Sequence, residues 1–600
     1  MRRSHYLEPN HKTLIPYDLI WVDTEALNEE GKPEAGYQRL SFGYAIYERY
    51  SRKDPYKVIK SDTLRFTDAD SFWDWVDSKS VSGRTIWIYA HNFNYDAGIL
   101  DTSRILPELG YKCTLYINGS PLPLMVRWAR DKRRLLMVDS MNIFPMPLDK
   151  LGDSVGLPKL TMPKDPEDIE AWNIYAWRDV EVIHKAILDF RRFVLDNDLG
   201  MYQKTLAGQA FSAYRHRFMH NPIYIHDHEI ALSLEREGYH GGRTDAFYYG
   251  EVNTQLYKLD INSMYPFIMK SYQLPCKFNS YFTFYSAKWW ERSRAEGSVI
   301  ARVSLDTDEP AYAKVHDHKL IFPVGQFSTV LTTGEIDYAE SKGHLVKVHE
   351  FASYDRADLF SDYVDYFYNM RLQYKADNNE AWAFVSKLLL NSLYGRFGMR
   401  GRRFEPSRDI FCAPGDETWH QSGPHEPFRL YRNRLGTTQV LMDDSESYNS
   451  MPAIAAEITG YARIYLWELI RLAGEDNVYY CDTDSIVTNR KGYNQVKHLI
   501  DDTRLGALKL EEKTQGASFY APKDYIMNGK RVLKGVTKNA RQINNKRYIQ
   551  PVFRSWDSNL KRNEDGYILV KDTIKDFSHR NTKRVVLDTG FNLPIHLREI

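Results

Sequence analysis

The chain has 600 residues, more than one hydrophobic core can organise, and suggests about three to five domains of roughly 100–200 residues each. Hydrophobic residues make up 43% and charged residues 26%, as in an ordinary soluble protein, and the net charge of +1 averages acidic sites against basic grooves without excluding either. Four scattered cysteines with no Cys-x-x-Cys pair exclude a structural zinc and a disulfide framework, and no run approaches the roughly eighteen apolar residues of a membrane span. The opening Met1-Arg2-Arg3-Ser4-His5-Tyr6 leads into no apolar stretch, so a reducing cytoplasm is the expected location.

In chain order, Leu19-Ile20-Trp21-Val22 reads as an apolar strand running into Asp23-Thr24-Glu25, with Thr24 giving little guidance. Ile86-Trp87-Ile88-Tyr89-Ala90 is a second strand, followed by His91-Asn92-Phe93-Asn94-Tyr95-Asp96. Tyr175 and Asp179 are spaced i, i+4 in a helical context and share one face. Four carboxylates (Asp23, Glu25, Asp96, Asp179) from three segments, with a tyrosine beside the last, describe a two-metal phosphodiesterase site.

Leu256 to Asp260 reads as a strand, and Ile261 to Pro266 turns into a helix whose first turn tolerates proline and offers free N–H groups to a phosphate. Two helices follow, joined by the polar turn at residues 376–380. Arg371 and Lys375 face Lys387 and Asn391 if the helices form an antiparallel hairpin, a grip for a triphosphate. Lys387, Asn391 and Tyr394 lie at i, i+4 and i+7 on one face. Val478-Tyr479-Tyr480 runs into Cys481-Asp482-Thr483-Asp484-Ser485. On a strand or tight hairpin, Asp482 and Asp484 point the same way, and crowded carboxylates call for a hard cation such as Mg²⁺. Basic clusters stand at Arg396, Arg400, Arg402 and Arg403, and at Lys530, Arg531, Lys534, Lys538, Arg541, Lys546 and Arg547. They are suited to phosphates, as the 42 tyrosines are to base stacking.

The segments Asp260 to Pro266, Lys387 to Gly395 and Tyr480 to Ser485 resemble motifs A, B and C of the family B DNA polymerases, and the chain is most similar to their protein-primed branch from phages and linear plasmids. The resemblance implies a multi-domain α/β fold: an RNase H-like (DnaQ-like) 3′–5′ exonuclease domain, then a right-hand polymerase with palm, fingers, thumb and two insertions. The implied boundaries are 1–200 for the exonuclease, 201–276 and 439–520 for the palm, 277–355 and 399–438 for the insertions, 356–398 for the fingers and 521–600 for the thumb. It further implies that Asp23, Glu25, Asp96 and Asp179 hold metals while Tyr175 orients water, and that Lys164, in Lys159-Leu160-Thr161-Met162-Pro163-Lys164, is the exonuclease lysine. Asn92 and Tyr95, accompanied by His91, and Ser140 would grip the single-stranded 3′ end, with Met141 where the branch has Leu.

In the polymerase half, Tyr239-His240-Gly241-Gly242 resembles the Tyr-x-Gly-Gly linker. Thr459 and Arg463 fall in a Thr-x-x-Ala-Arg primer-binding pattern, and Lys523 and Tyr525 in a Lys-x-Tyr pattern. Asp260 and Asp484 would hold two Mg²⁺ ions, for which Mn²⁺ substitutes, with Asp482 close by; each active site would take two ions. Tyr265 and Tyr394 would flank the nucleotide, and Tyr265 would exclude a 2′-hydroxyl. Having Arg371 beside the lysines departs from the protein-primed branch and is similar to cellular family B enzymes. The implied partners of a monomeric enzyme are template-primer DNA, deoxynucleotides and a terminal protein that primes synthesis, with strand displacement and no membrane. A family B enzyme using nucleic-acid primers or none stays open, as does a non-catalytic DNA-binding replication factor.

Overall fold

A computed structural model describes residues 2–28, 36–119, 122–401, 403–421, 423, 427–442, 446–537, 540–544 and 546–599. Arg402 and Lys538 of the basic clusters lie outside the described residues.

The N-terminal third is built on a mixed sheet. Apolar residues of Asp18–Asn28 and Thr85–Ala90 place these strands, parallel and adjacent, at its centre, with Arg133–Asp139, Leu122–Arg130 and Lys112–Gly119 beyond them. Tyr37–Tyr50 flanks the other side. The helix Ile169–Asp196 covers one face through Val180, Ile183, Ile187 and Phe190, an apolar stripe at helical spacing. The opposite face has its own core, including Trp73, Trp128 and Trp556.

The larger C-terminal part centres on a five-stranded antiparallel sheet in the order Thr244–Ala246, Val478–Asp482, Ser485–Asn489, Leu256–Ile261 and Leu508–Thr514. The helix Pro452–Ala473, buried along most of its length, underlies it. Ser361–Ala376 and Glu380–Phe397 form the expected antiparallel helix pair, and Asn379 caps the second helix by accepting the Trp382 N–H at 3.2 Å.

Three expected boundaries change. Residues 277–355 are not a separate insertion: their strands join a seven-stranded sheet with His5–Leu7, Ile223–Ile225 and His596–Arg598. The N-terminus therefore pairs with the C-terminal part, outside the N-terminal sheet. The second insertion forms a four-stranded sheet from Arg403–Pro406 to Thr437–Met442, a few residues past 438. It leans on the N-terminal domain, where the Thr437 hydroxyl donates to the Cys113 carbonyl at 3.2 Å, and on the C-terminal helix Trp556–Leu560, through Arg434 and Asp557 at 3.3 Å.

The span 521–600 is not one thumb. Ala517–Ala521, Asp524–Met527 and Lys530–Leu533 make a small sheet with Gly250–Val252. Arg541–Asn544, Arg547–Phe553 and Ile568–Asp576 extend the N-terminal sheet through Tyr37 and Gln38, and the last strand returns to the seven-stranded sheet. Long-range pairing of this kind depends on where strand edges lie in space, which sequence order does not reveal.

Candidate active sites

In the C-terminal part, Asp260 sits on the strand Leu256–Ile261, directly opposite Ser485 on one side and Lys509 on the other. The Ile261 N–H donates to the Asp484 carbonyl at 2.7 Å, so the motif A strand and the motif C turn are locked together. The turn is tight: Val478–Asp482 and Ser485–Asn489 pair around Thr483-Asp484, with Thr483 at φ +62°. A β-branched residue in the left-handed region costs on the order of 1–3 kcal/mol. That conformation is held by the Thr483 N–H donating to the Arg243 carbonyl at 2.6 Å.

The two hairpin aspartates divide their environments. Asp482 accepts the Thr244 hydroxyl at 3.0 Å and pairs with Lys523 Nζ at 3.3 Å. Asp484 shares its surroundings with Asp260, whose carboxyl is pushed up to about 7 by burial, then by Asp484 and Glu511. Burial likewise raises Asp484, against the pull of Lys387. Two half-buried carboxylates that resist ionising together are a donor set for a divalent cation, and hard oxygen ligands fit Mg²⁺.

Around them stand half-buried cations: Lys387 pulls on both aspartates, and Arg371 feels the Asp260 charge. The Lys375 ammonium is lowered by burial, then by repulsion from Arg371 and Lys509, with Glu380 opposing and Lys387 adding to it. Arg371 donates to the Ser263 hydroxyl at 2.7 Å, at the start of the helix Met264–Ser271. Cations gathered beside acids are the inverse of a polyphosphate-metal complex. The carbonyl oxygen of Asn391, on the same helix as Lys387, is buried without a hydrogen-bond partner among the described residues. The Tyr265 and Tyr394 rings lie 4.7 Å apart. A Cβ on Gly242 would come within 2.8 Å of the Thr483 methyl and 2.9 Å of the Tyr265 hydroxyl, so only glycine fits. Gly241 is exposed and a Cβ there would meet nothing within 4 Å, and the Tyr239 ring packs against Gly398. Lys523, at φ +60°, donates its N–H to the Tyr480 hydroxyl at 2.8 Å, and the Tyr525 ring lies 4.8 Å from that of Tyr480.

Two residues expected at the DNA, Thr459 and Arg463, are buried. Thr459 is buried in its helix, donating to the Ala456 carbonyl at 3.1 Å. Arg463 is only 1% exposed: Nε and Nη2 donate to Glu335 at 3.1 and 2.7 Å, and Nη1 to the His240 and Gly241 carbonyls at 2.9 and 3.3 Å. It braces the glycine linker from beneath, and removing either member of so buried a pair costs about 3–5 kcal/mol.

In the N-terminal domain, carboxylate oxygens of Asp23, Glu25 and Asp179 lie within 4.8 Å of one another, the first two on one strand face and the third on the long helix. Burial, then Asp96, Asp179 and Glu25, raises Asp23 well above the ordinary carboxylate range; Glu25 is pushed up to about 7 by burial and then Asp179. Asp96 stands next to this trio and outside it, buried, pushed up to about 7 by burial, and accepting the Thr24 hydroxyl at 2.7 Å. Thr24 therefore has a positioning role that its sequence context hides. One Asp179 oxygen, Oδ1, is buried without a partner among the described residues.

Lys164 is exposed on the connection before the helix, whereas Lys159 pairs with Asp179 and lies 4.4 Å over the Tyr175 ring. Burial works against the Lys159 charge, but Asp179 and Tyr175 raise its pKa overall. Ser140 is fully buried and meets His91 Nδ1 at 2.8 Å, so it orients the histidine. Asn92 takes φ +66°, and its N–H and that of Phe93 donate to Asp139 at 3.0 Å each. Tyr95 donates to Gln38 at 2.9 Å beside the Phe553 ring.

The architecture thus combines an RNase H-like domain and a right-hand polymerase body. It aligns with the structure of "Phi29 DNA polymerase complexed with primer-template DNA and incoming nucleotide substrates" at a TM-score of 0.68 and 16% identity, over 94% of this chain and 100% of that one. Residues 157–405 match the family described as DNA polymerase type B, organellar and viral. The chain is 24% identical to a probable DNA polymerase of Neurospora intermedia, over 83% of this chain and 56% of that one. It is 23% identical to the DNA-directed DNA polymerase of Enterobacteria phage PRD1, over 80% and 82%. It is similar to the type B DNA polymerases over residues 157–405, and spans about half or less of the length of the first curated fungal relatives it matches. No described helix is long and apolar enough to cross a membrane.

Proposed function

We propose that the chain is a DNA-directed DNA polymerase with 3′–5′ exonuclease activity, primed by a protein and displacing strands as it copies a linear genome. The observation that carries the polymerase reading is the acid pair Asp260 and Asp484 beside the half-buried cations Lys375, Arg371, Lys387 and Lys509. In this reading Lys375, Arg371 and Lys387 hold the triphosphate of the incoming nucleotide, and Asn391 turns its free carbonyl toward it. Tyr394 and Tyr265 confine the sugar, with Gly242 leaving room for the Tyr265 hydroxyl. Asp260 and Asp484 hold the metal ions; Mg²⁺ bound there supplies a lowered pKa at the attacking 3′-hydroxyl and neutralises the leaving pyrophosphate. Lys523 and Tyr525 steady the primer end next to Asp482. The remaining rate enhancement is positioning and fixed charge.

The second acidic cluster supports proofreading. Asp23, Glu25 and Asp179, with Asp96 beside them, hold metal; Lys159 fixes Asp179 and Tyr175; Asn92 and Tyr95 receive the strand end. Protein priming is supported by the phage relatives, and strand displacement by the sheet at 403–442 that bridges the N-terminal domain and the C-terminal helix.

Primer extension with Mg²⁺ and deoxynucleotides tests the assignment. Asp260→Asn or Asp484→Asn should reduce extension on the order of a thousand-fold and leave single-strand degradation intact. Loss of both activities in a folded variant would sink the two-site reading. A gel that shows deoxynucleotide joined to a candidate terminal protein tests priming; extension from oligonucleotides alone would favour a nucleic-acid-primed enzyme.

A further inference from the structure

The strand Thr244–Ala246 lies beneath the motif C hairpin, with Thr244 opposite Asp482 and Asp245 opposite Cys481. Its Thr244 hydroxyl reaches Asp482 and the preceding Arg243 carbonyl holds Thr483, so whatever fixes this strand fixes the hairpin. What fixes it comes from the far end of the chain. The side-chain amides of Asn581 and Asn592 both donate to the Ala246 carbonyl, at 3.0 and 2.8 Å. The Asn592 N–H donates to the Phe247 carbonyl at 2.8 Å, and the Tyr249 N–H to the Gly590 carbonyl at 2.6 Å.

At the centre, Arg584 Nη1 pairs with Asp245 Oδ2 at 3.0 Å, while its Nε donates to the Asn592 carbonyl at 3.1 Å. Its guanidinium lies 4.6 Å over the Phe247 ring. The same Asp245 oxygen accepts Arg243 Nη2 at 3.2 Å, and Arg243 Nη1 donates to the Pro310 carbonyl at 2.7 Å. All three charged groups are buried. On the other side of the hairpin, His579 meets Asp524 at 2.5 Å, next to the Lys523 that pairs with Asp482.

We propose that Arg584, through Asp245, is a positioning residue for nucleotide transfer, and that residues 579–592 form a clamp that sets the motif C carboxylates against Asp260. A buried ion pair adds little net stability compared with apolar packing, and its use lies in fixing one geometry. The planar guanidinium, bonded at two nitrogens and stacked on a ring, fixes it in a way that a lysine ammonium reproduces only in part. The proposal rests on the polymerase reading above.

The test uses the full chain with Arg584→Met, Arg584→Lys and Asp245→Asn. Single-nucleotide incorporation over a Mg²⁺ series is measured beside single-strand degradation on the same preparations. Arg584→Met should lower the incorporation kcat about tenfold or more, raise the Mg²⁺ needed for half-maximal rate, and leave the nucleotide KM and degradation unchanged. Asp245→Asn should do the same, and Arg584→Lys should recover part of the loss. Should Arg584→Met not fold, Asn581→Ala, which removes one of the two amides on Ala246, should give the same pattern in weaker form. Unchanged incorporation, or incorporation and degradation falling together across these variants, overturns the clamp. A parent chain that extends no primer overturns the polymerase reading instead, so the two failures are distinct.

Discussion

Lys159 and Lys164 lie five residues apart, and their environments are opposite: one is held between Asp179 and Tyr175, the other is exposed. Lys159→Ala should therefore slow strand degradation about 10- to 100-fold by freeing Asp179, while Lys164→Ala leaves it unchanged. Equal effects of the two substitutions on a labelled single strand would return Lys164 to the site. Tyr265 makes a second test at the same scale. Its ring is packed against Tyr394 and its hydroxyl is confined by Gly242, so the side chain has one place to be. Tyr265→Val should raise ribonucleotide relative to deoxyribonucleotide incorporation by about tenfold, the value of roughly 1.4 kcal/mol of relieved clash. An unchanged ratio would make Tyr265 a packing residue only.

The strands and helices that bring acids together also store repulsion, and this gives a dependence on pH and metal. Glu25, Asp96 and Asp260 are each pushed up to about 7, and Asp23 is raised as well. In the unfolded chain such groups titrate near pH 4, so between about pH 4 and 7 the folded protein binds protons that the unfolded chain has released. Their contribution to stability is complete below about pH 4 and is lost as pH rises through 7. In EDTA, Tm should fall between pH 5.5 and 8. Millimolar Mg²⁺ should restore it strongly at pH 8 and weakly at pH 5.5, because the cation takes the place of the protons. An equal Mg²⁺ shift at both pH values in thermal unfolding would contradict this account.

For the molecule as a whole, the sheet at 403–442 touches the N-terminal strand around Cys113 and the C-terminal helix through Arg434. A chain that closes around its template forces the downstream strand apart, since a duplex does not fit where one strand does. Deleting residues 405–432 should slow synthesis through a primed duplex and spare synthesis on a single-stranded template. Equal displacement by a folded deletion variant would give the sheet another purpose. Because this sheet packs against Tyr116 and Asp557 through Arg432 and Arg434, single-strand degradation by the same variant checks that the N-terminal domain still folds.

The sequence by itself determined the acidic positions and the helix pair at 361–397, because short apolar strands ending in Asp and helical spacing of Lys387, Asn391 and Tyr394 are local signals. Only the tertiary structure decided which lysine reaches Asp179, that Ser140, Thr459 and Arg463 are buried, and that Lys509 stands opposite Asp260. It alone decided that residues 541–576 extend the N-terminal sheet while residues 579–592 return to motif C. The physical reason is the same in each case: burial, charge pairing and strand-edge pairing depend on how the chain packs in space, across 20 positions for Lys159 and Asp179 and 335 for Ala246 and Asn581, and no local pattern records them.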